Sequence, residues 1–102
     1  MRTAIVKITV RTKADPSRSV TVNGRLAWTL HHLIDAGAQG ITPIERPAPR
    51  WSEYVHQLRK CGLEIETIRE KHSGPFPGNH GRYVLRTPVE VVKAVSAKER
   101  AG

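Results

Sequence analysis

The sequence predicts one small α+β domain, and three observations carry that prediction. A β-branched alternating run opens the chain, two segments with helical apolar spacing follow, and the period then returns to two before and after a Gly/Pro-rich stretch. At 102 residues there is room for one modest core and no separate catalytic domain.

"AIVKITV", Ala4 to Val10, alternates Ile5 or Val6 with Ile8 and Val10 and reads as a strand. "RTKADPSRS" is polar and punctuated by Pro16, a loop or mobile arm. In "TVNGRLAWTLHHLIDAG", Thr21 or Asn23 is the expected helix cap and Gly37 the stop. Leu26, Leu30 and Leu33, with Ala27 and Ile34, form the buried stripe of this helix. Thr42 before Pro43 can cap a short second helix, since a proline at the first position lacks only an N–H that would go unpaired anyway. Pro47 and Pro49 forbid its continuation and enforce a restart. From Pro49 or Arg50 a third helix runs to about Lys60, with Trp51, Tyr54, Val55 and Leu58 on one side and Gly62 as its C-cap.

"LEIETIREK" alternates Leu63, Ile65 and Thr67 against Glu64, Glu66 and Ile68, a half-exposed strand. "HSGPFPGNHG" reads as a turn or loop, and "RYVLRT", Arg82 to Thr87, as the returning strand of a hairpin. Pro88 ends it. "VEVVKAVSAKERAG" stays open between strand and helix, with its last residues expected to be disordered. Strand, helix, short helix, helix, hairpin is the order of a winged helix-turn-helix: three helices, an N-terminal strand and a C-terminal β-hairpin wing. The division is residues 1–20 as strand and basic arm, 21–88 as the winged domain, and 89–102 as a C-terminal extension.

Charge points to the partner. Seventeen Lys and Arg against nine Asp and Glu give a net charge of +8 and a pI near 10.4, which favours an anionic partner, nucleic acid first and acidic membrane second. Residues 1–25 carry six basic groups against Asp15, residues 46–86 carry eight against four acidic ones, and 26–45 hold only Asp35 and Glu45. The field therefore comes from the two flanks of a near-neutral first helix. One cysteine permits no internal disulfide, and "MRTAIVKITVRTK" is too short and too polar for a signal peptide or span, so the expected location is cytoplasmic and nucleoid-associated.

In this arrangement the helix over 50–60 lies in the major groove, where base edges present distinguishable donors and acceptors. Arg50, Ser52, Glu53, His56, Gln57, Arg59 and Lys60 are its candidate DNA-binding residues. Glu53, His56 and Lys60 project opposite the Trp51/Leu58 stripe, with Ser52 and Gln57 beside them. Lys71, His72, Asn79, His80 and Arg82 bracket the hairpin tip and suit backbone or minor-groove contact. Each has an ordinary alternative as a solvated polar residue, and Glu53 repels phosphate unless it accepts from cytosine or orients an arginine.

The segment from Asn23 to Thr87 also resembles the small bacterial winged-helix domains of phage-like and mobile elements. The motifs are "GR-A--L--L--AG--G-T", "PAPR-S-YV--LR" and the hairpin return "GNHGRYVL". The resemblance implies DNA binding without naming a target or process. Residues 1–20 and 88–102 lie outside it.

No metal, cofactor or enzymatic site is expected. His31 and His32 are sequential and point about 100° apart on a helix. His72 and His80 could approach across the hairpin, but no cysteine or carboxylate completes a set. Cys61 lacks a placed base and is assigned to packing. No nucleophile-and-base pair, carboxylate pair in a pocket or phosphate-cradling glycine loop is present. Trp51 and Tyr54 are expected in the core, Trp28 against the hairpin or a partner subunit, and Phe76 either tucked under the wing or exposed as a wedge. The function these features predict is sequence-preferring binding of double-stranded DNA, as a transcriptional regulator or a recombination or excision accessory factor. Small size favours a homodimer. The alternative is a winged-helix module that docks a protein partner in a replication, recombination or transcription complex.

Overall fold

The computed structural model describes residues 3–42, 50–72 and 78–98, with side chains described over 5–42, 50–70 and 81–96. Within them the chain forms β1 (Thr3–Thr12), β2 (Ser19–Asn23), α1 (Arg25–Ala36), a 3-10 turn (Gly37–Gln39), α2 (Trp51–Lys60), β3 (Ile65–His72), β4 (Gly78–Leu85) and β5 (Val89–Lys98). Two α-helices are therefore counted among the described residues, not three. The short helix expected after Thr42, with its prolines, falls on 43–49, outside the described residues.

The strands make two antiparallel sheets, one in the order β2-β1-β5 and one formed by β3 and β4. β1 is central in the first. Its Ile8 and Val10 are buried and face Val22 of β2 together with Ala27, Leu30 and Leu33 of α1. The first strand thus neither completes the wing nor offers an edge for dimerisation, because β2 occupies one side and β5 the other. The polar segment after it is a turn between β1 and β2. Asp15 accepts from the Ser17 hydroxyl (2.6 Å) and backbone N–H (3.1 Å), and Thr12 donates to the Asp15 carbonyl (2.6 Å). These two Ser17 donors hold the Asp15 carboxyl below its usual pKa range.

Thr21 and Asn23 are strand residues rather than helix caps. α1 starts after Gly24 with no side-chain cap, because Thr21 is paired with Thr9 across the sheet and their hydroxyls share a 2.8 Å bond. Gly37 ends the helix as expected, with φ 59°. α2 ends in a Schellman turn around Cys61. The Gly62 N–H donates to the Arg59 carbonyl (3.0 Å) and the Leu63 N–H to the Leu58 carbonyl (3.4 Å), with Gly62 at φ 95° and Leu58 and Leu63 both buried.

β3 and β4 pair without interruption from Ile65↔Leu85 to His72↔Gly78, so the ladder reaches four residues further into the Gly-rich segment than alternation predicts on the β4 side. Between the two strands, residues 73–77, with Phe76, lie outside the described residues. The wing gains its third strand position from Ile41, which exchanges two backbone bonds with Tyr83 (2.9 and 2.8 Å). Gly40 makes that approach possible: at φ 71°, an added Cβ would lie 2.6 Å from a Val84 methyl and 2.7 Å from the Tyr83 carbonyl oxygen. The C-terminal segment, open between helix and strand in the sequence, is the ten-residue strand β5 along β1. β1 and β5 thus close one sheet with β2.

Gly40→Ala meets both a positive φ and backbone crowding. It is expected to destabilise the fold by about 1–3 kcal/mol, measured by urea unfolding. An unchanged midpoint would mean that the Ile41–Tyr83 bridge does not hold the wing.

Candidate nucleic-acid interface

The interface is built on the first residue of α2. Trp51 is 3% exposed and lies between Trp28 of α1 (centroids 5.6 Å, tilted 52°) and Tyr83 of β4 (6.1 Å, stacked at 14°). Trp28 in turn contacts the His32 ring at 4.6 Å and carries the Arg25 guanidinium 5.3 Å from its centroid. The sequence left Trp28 open between hairpin and partner. It is half-buried with its ring against Trp51 of α2, and Trp51 stacks on Tyr83 of the hairpin. Arg50, immediately before, is the one described non-glycine residue at positive φ (67°), so the chain turns sharply into the helix. With Val55 and Leu58 also buried, α2 has a fixed rotation about its axis.

That rotation exposes Ser52, Glu53, His56 and Lys60, with Arg50 at the leading end. Gln57 is half-buried, and its amide reaches the Glu53 carboxylate at 3.4 Å, a long contact. The face therefore offers a hydroxyl, a carboxylate, an amide, an imidazole and two cations within three turns. Arg59 does not belong to it. Its guanidinium donates to the Ile65 carbonyl (3.0 and 2.5 Å) and to the Thr67 hydroxyl (2.9 Å), fastening α2 to β3.

Arg82 is likewise occupied. It pairs with Glu70 across the hairpin (2.7 Å) and donates to the Gln39 carbonyl (3.0 Å), tying the wing to the turn after α1. Lys71, His72, Asn79 and His80 bring their backbones into the last rungs of the hairpin, Lys71 opposite Asn79 and Glu70 opposite His80, while their side chains lie outside the described residues. Arg69 is a residue the sequence reading missed. It is exposed, sits opposite Gly81, and shares with Thr67 and Tyr83 the hairpin face that packs on α2. The signal was the two-residue period from Ile65 through Thr67 to Arg69, which puts a cation beyond the packed positions on the helix side.

A family model described as a winged helix domain matches residues 19–95. The chain belongs to the winged helix domain family. The match begins with β2 and runs into β5, leaving the central strand β1 before it. No match was found among curated proteins or solved structures. The winged helix supports DNA binding as the general class of function. Its helix-turn-helix pair is α1 and α2, and its wing is β3 and β4. Among the described residues no helix is long and apolar enough to cross a membrane, and no three His, Cys, Asp or Glu gather as metal ligands. His31 and His32 are 5.4 Å apart by ring centroid, and Cys61 is an exposed free thiol.

Trp51→Ala removes the ring joining both helices to the wing. It should cost about 3–5 kcal/mol in unfolding free energy, whereas Trp51→Phe should retain most of the stability. A cost below about 1 kcal/mol would show that α2 is held in place by something else.

Proposed function

We propose that this winged helix protein binds double-stranded DNA with sequence preference, as a transcriptional regulator or a recombination or excision accessory factor. The resemblance to domains of phage-like and mobile elements is what keeps the second role in view. Residues 50–60 read the major groove, and the wing over 71–82 contacts backbone or minor groove. The observation that carries this reading is the rotation of α2: Trp51, Val55 and Leu58 face inward, leaving Ser52, Glu53, His56 and Lys60 outward. Gln57 suits adenine, the cations suit guanine, and Ser52 or Glu53 suits exocyclic amines.

Arg69 joins Lys71 as a phosphate contact, and Arg82 has a different role. Its pair with Glu70 and its bond to Gln39 make it a brace for the wing. The protein acts in the cytoplasm at the nucleoid, as a homodimer that doubles the contacted DNA, and without enzymatic activity. An open hollow of about 480 Å³ is lined in part by Arg59 and Arg86, which are bonded to the Ile65 carbonyl and to Glu66.

A protein-docking role is the second reading, and the charge distribution favours it in one respect. Residues 25–87 carry nine basic against six acidic side chains, a net +3, so most of the +8 lies on the flanking strands and termini. The two readings separate on salt. Binding to duplex DNA should weaken linearly in log salt through counterion release. His56→Ala and Gln57→Ala should change the preferred site, whereas Arg69→Ala and Lys71→Ala should weaken all sites alike and each reduce the salt slope by about 1. Arg82→Ala should lower stability more than the salt slope. If duplex DNA is not bound even at low salt, the docking reading replaces this one.

A further inference from the structure

We infer that two copies of the chain join through β5, edge to edge and antiparallel, into one continuous six-stranded sheet. The inference rests on the homodimer part of the proposed function and assigns its interface. β5 is the outer strand of its sheet, ten residues long, and no described strand covers its second edge. A long uncovered edge is a template for another strand. Among the described residues the exposed large hydrophobics are Val91 (45%), Val92 (48%) and Val95 (37%), and all three lie on this strand.

The pairing of β5 with β1 selects the occupant. Val10 faces Val91 and Thr9 faces Lys93, so Val92 is an extra residue, a bulge in β5. Opposite residues of an antiparallel pair project from the same side of the sheet. Glu90, opposite Arg11, and Lys93, opposite Thr9, therefore share the outer side although they are three residues apart. A two-fold axis normal to a regular strand could never place such residues against each other, because they would point to opposite sides. The bulge removes that obstacle. With the axis between Val91 and Val92, Glu90 of each copy stands opposite Lys93 of the other, and four valines meet at the centre. Glu90 already lies 3.3 Å from Arg11 on its own chain, and its half-exposed carboxylate has a second oxygen for the partner's lysine.

Over the stretch this register pairs, Val89 to Ala94, one residue of each sign makes the edge complementary to itself, and Lys98 falls beyond it. A uniformly acidic or basic strand would repel one of the two charges, so a second copy fits better than a foreign partner. In this register the two bulges face each other and both charged cross-strand pairs are of opposite sign. The interface is isologous and closes at two.

The test is the solution mass of the full chain without DNA, by sedimentation over a concentration series. The wild type should approach twice 11.4 kDa. Glu90→Lys and Lys93→Glu, each placing like charges in both cross-strand pairs, should shift to 11.4 kDa alone. Mixed in equal amounts they should return to the dimer mass, because both cross-strand pairs at positions 90 and 93 then join a lysine to a glutamate. A wild type monomeric throughout overturns the inference. So do single variants that stay dimeric, or a mixture that stays monomeric. Because DNA is absent, a monomer here leaves the DNA-binding reading standing, and failure of DNA binding leaves this interface standing.

Discussion

Trp51 is the constraint on which the rest of this structure depends. A helix of ten residues has too little intrinsic stability to hold its own orientation, and its placement must come from tertiary packing. Trp51 supplies it at the leading end by filling the space between Trp28 and Tyr83, while Leu58 and the Schellman turn supply it at the trailing end. One buried ring thereby couples α1, α2 and the wing. The left-handed Arg50 is the local consequence, since the chain must bend abruptly to deliver that ring to the core at the first helical position.

The charged residues divide according to the same geometry. Arg59 and Arg82 look like nucleic-acid contacts in sequence, but each is spent on the frame, one joining α2 to β3 and the other joining the wing to the turn after α1. Charge-assisted bonds to a carbonyl or carboxylate fix direction as well as distance, which suits bracing. What remains outward on α2 is the set around Ser52, Glu53, His56 and Lys60. Cations bonded within the frame hold a small helix in place while others on the chain stay unengaged by it. This division also moves Arg69 into the candidate interface and Arg59 out of it.

The parts legible in the sequence were those set by local periodicity. α2, its apolar stripe and its glycine stop follow from spacing, as do the body of α1, β1 and the start of β3. The misreadings arose where distant pairing overrides local preference. Thr21 and Asn23 have good capping chemistry, but β1 recruits them into a strand. Gly78 and Gly81 suggest a loop, yet cross-strand bonding to β3 keeps them in the ladder. β5 alternates poorly because Val92 is a bulge, and only its register with β1 shows why. For the candidate site, the outward residues of α2 could be read from helical projection, whereas the internal engagement of Arg59 and Arg82 depends on partners six or more residues away.

The most direct test of the central claim is backbone amide mapping by NMR as duplex DNA is titrated into the isotope-labelled protein. If Trp51 fixes α2 as a reading helix, the largest perturbations should fall on Ser52, Glu53, His56 and Lys60 and on Arg69 in the wing, with β1 and β2 unmoved. Perturbations confined to the β2-β1-β5 sheet, with α2 silent, would contradict the account.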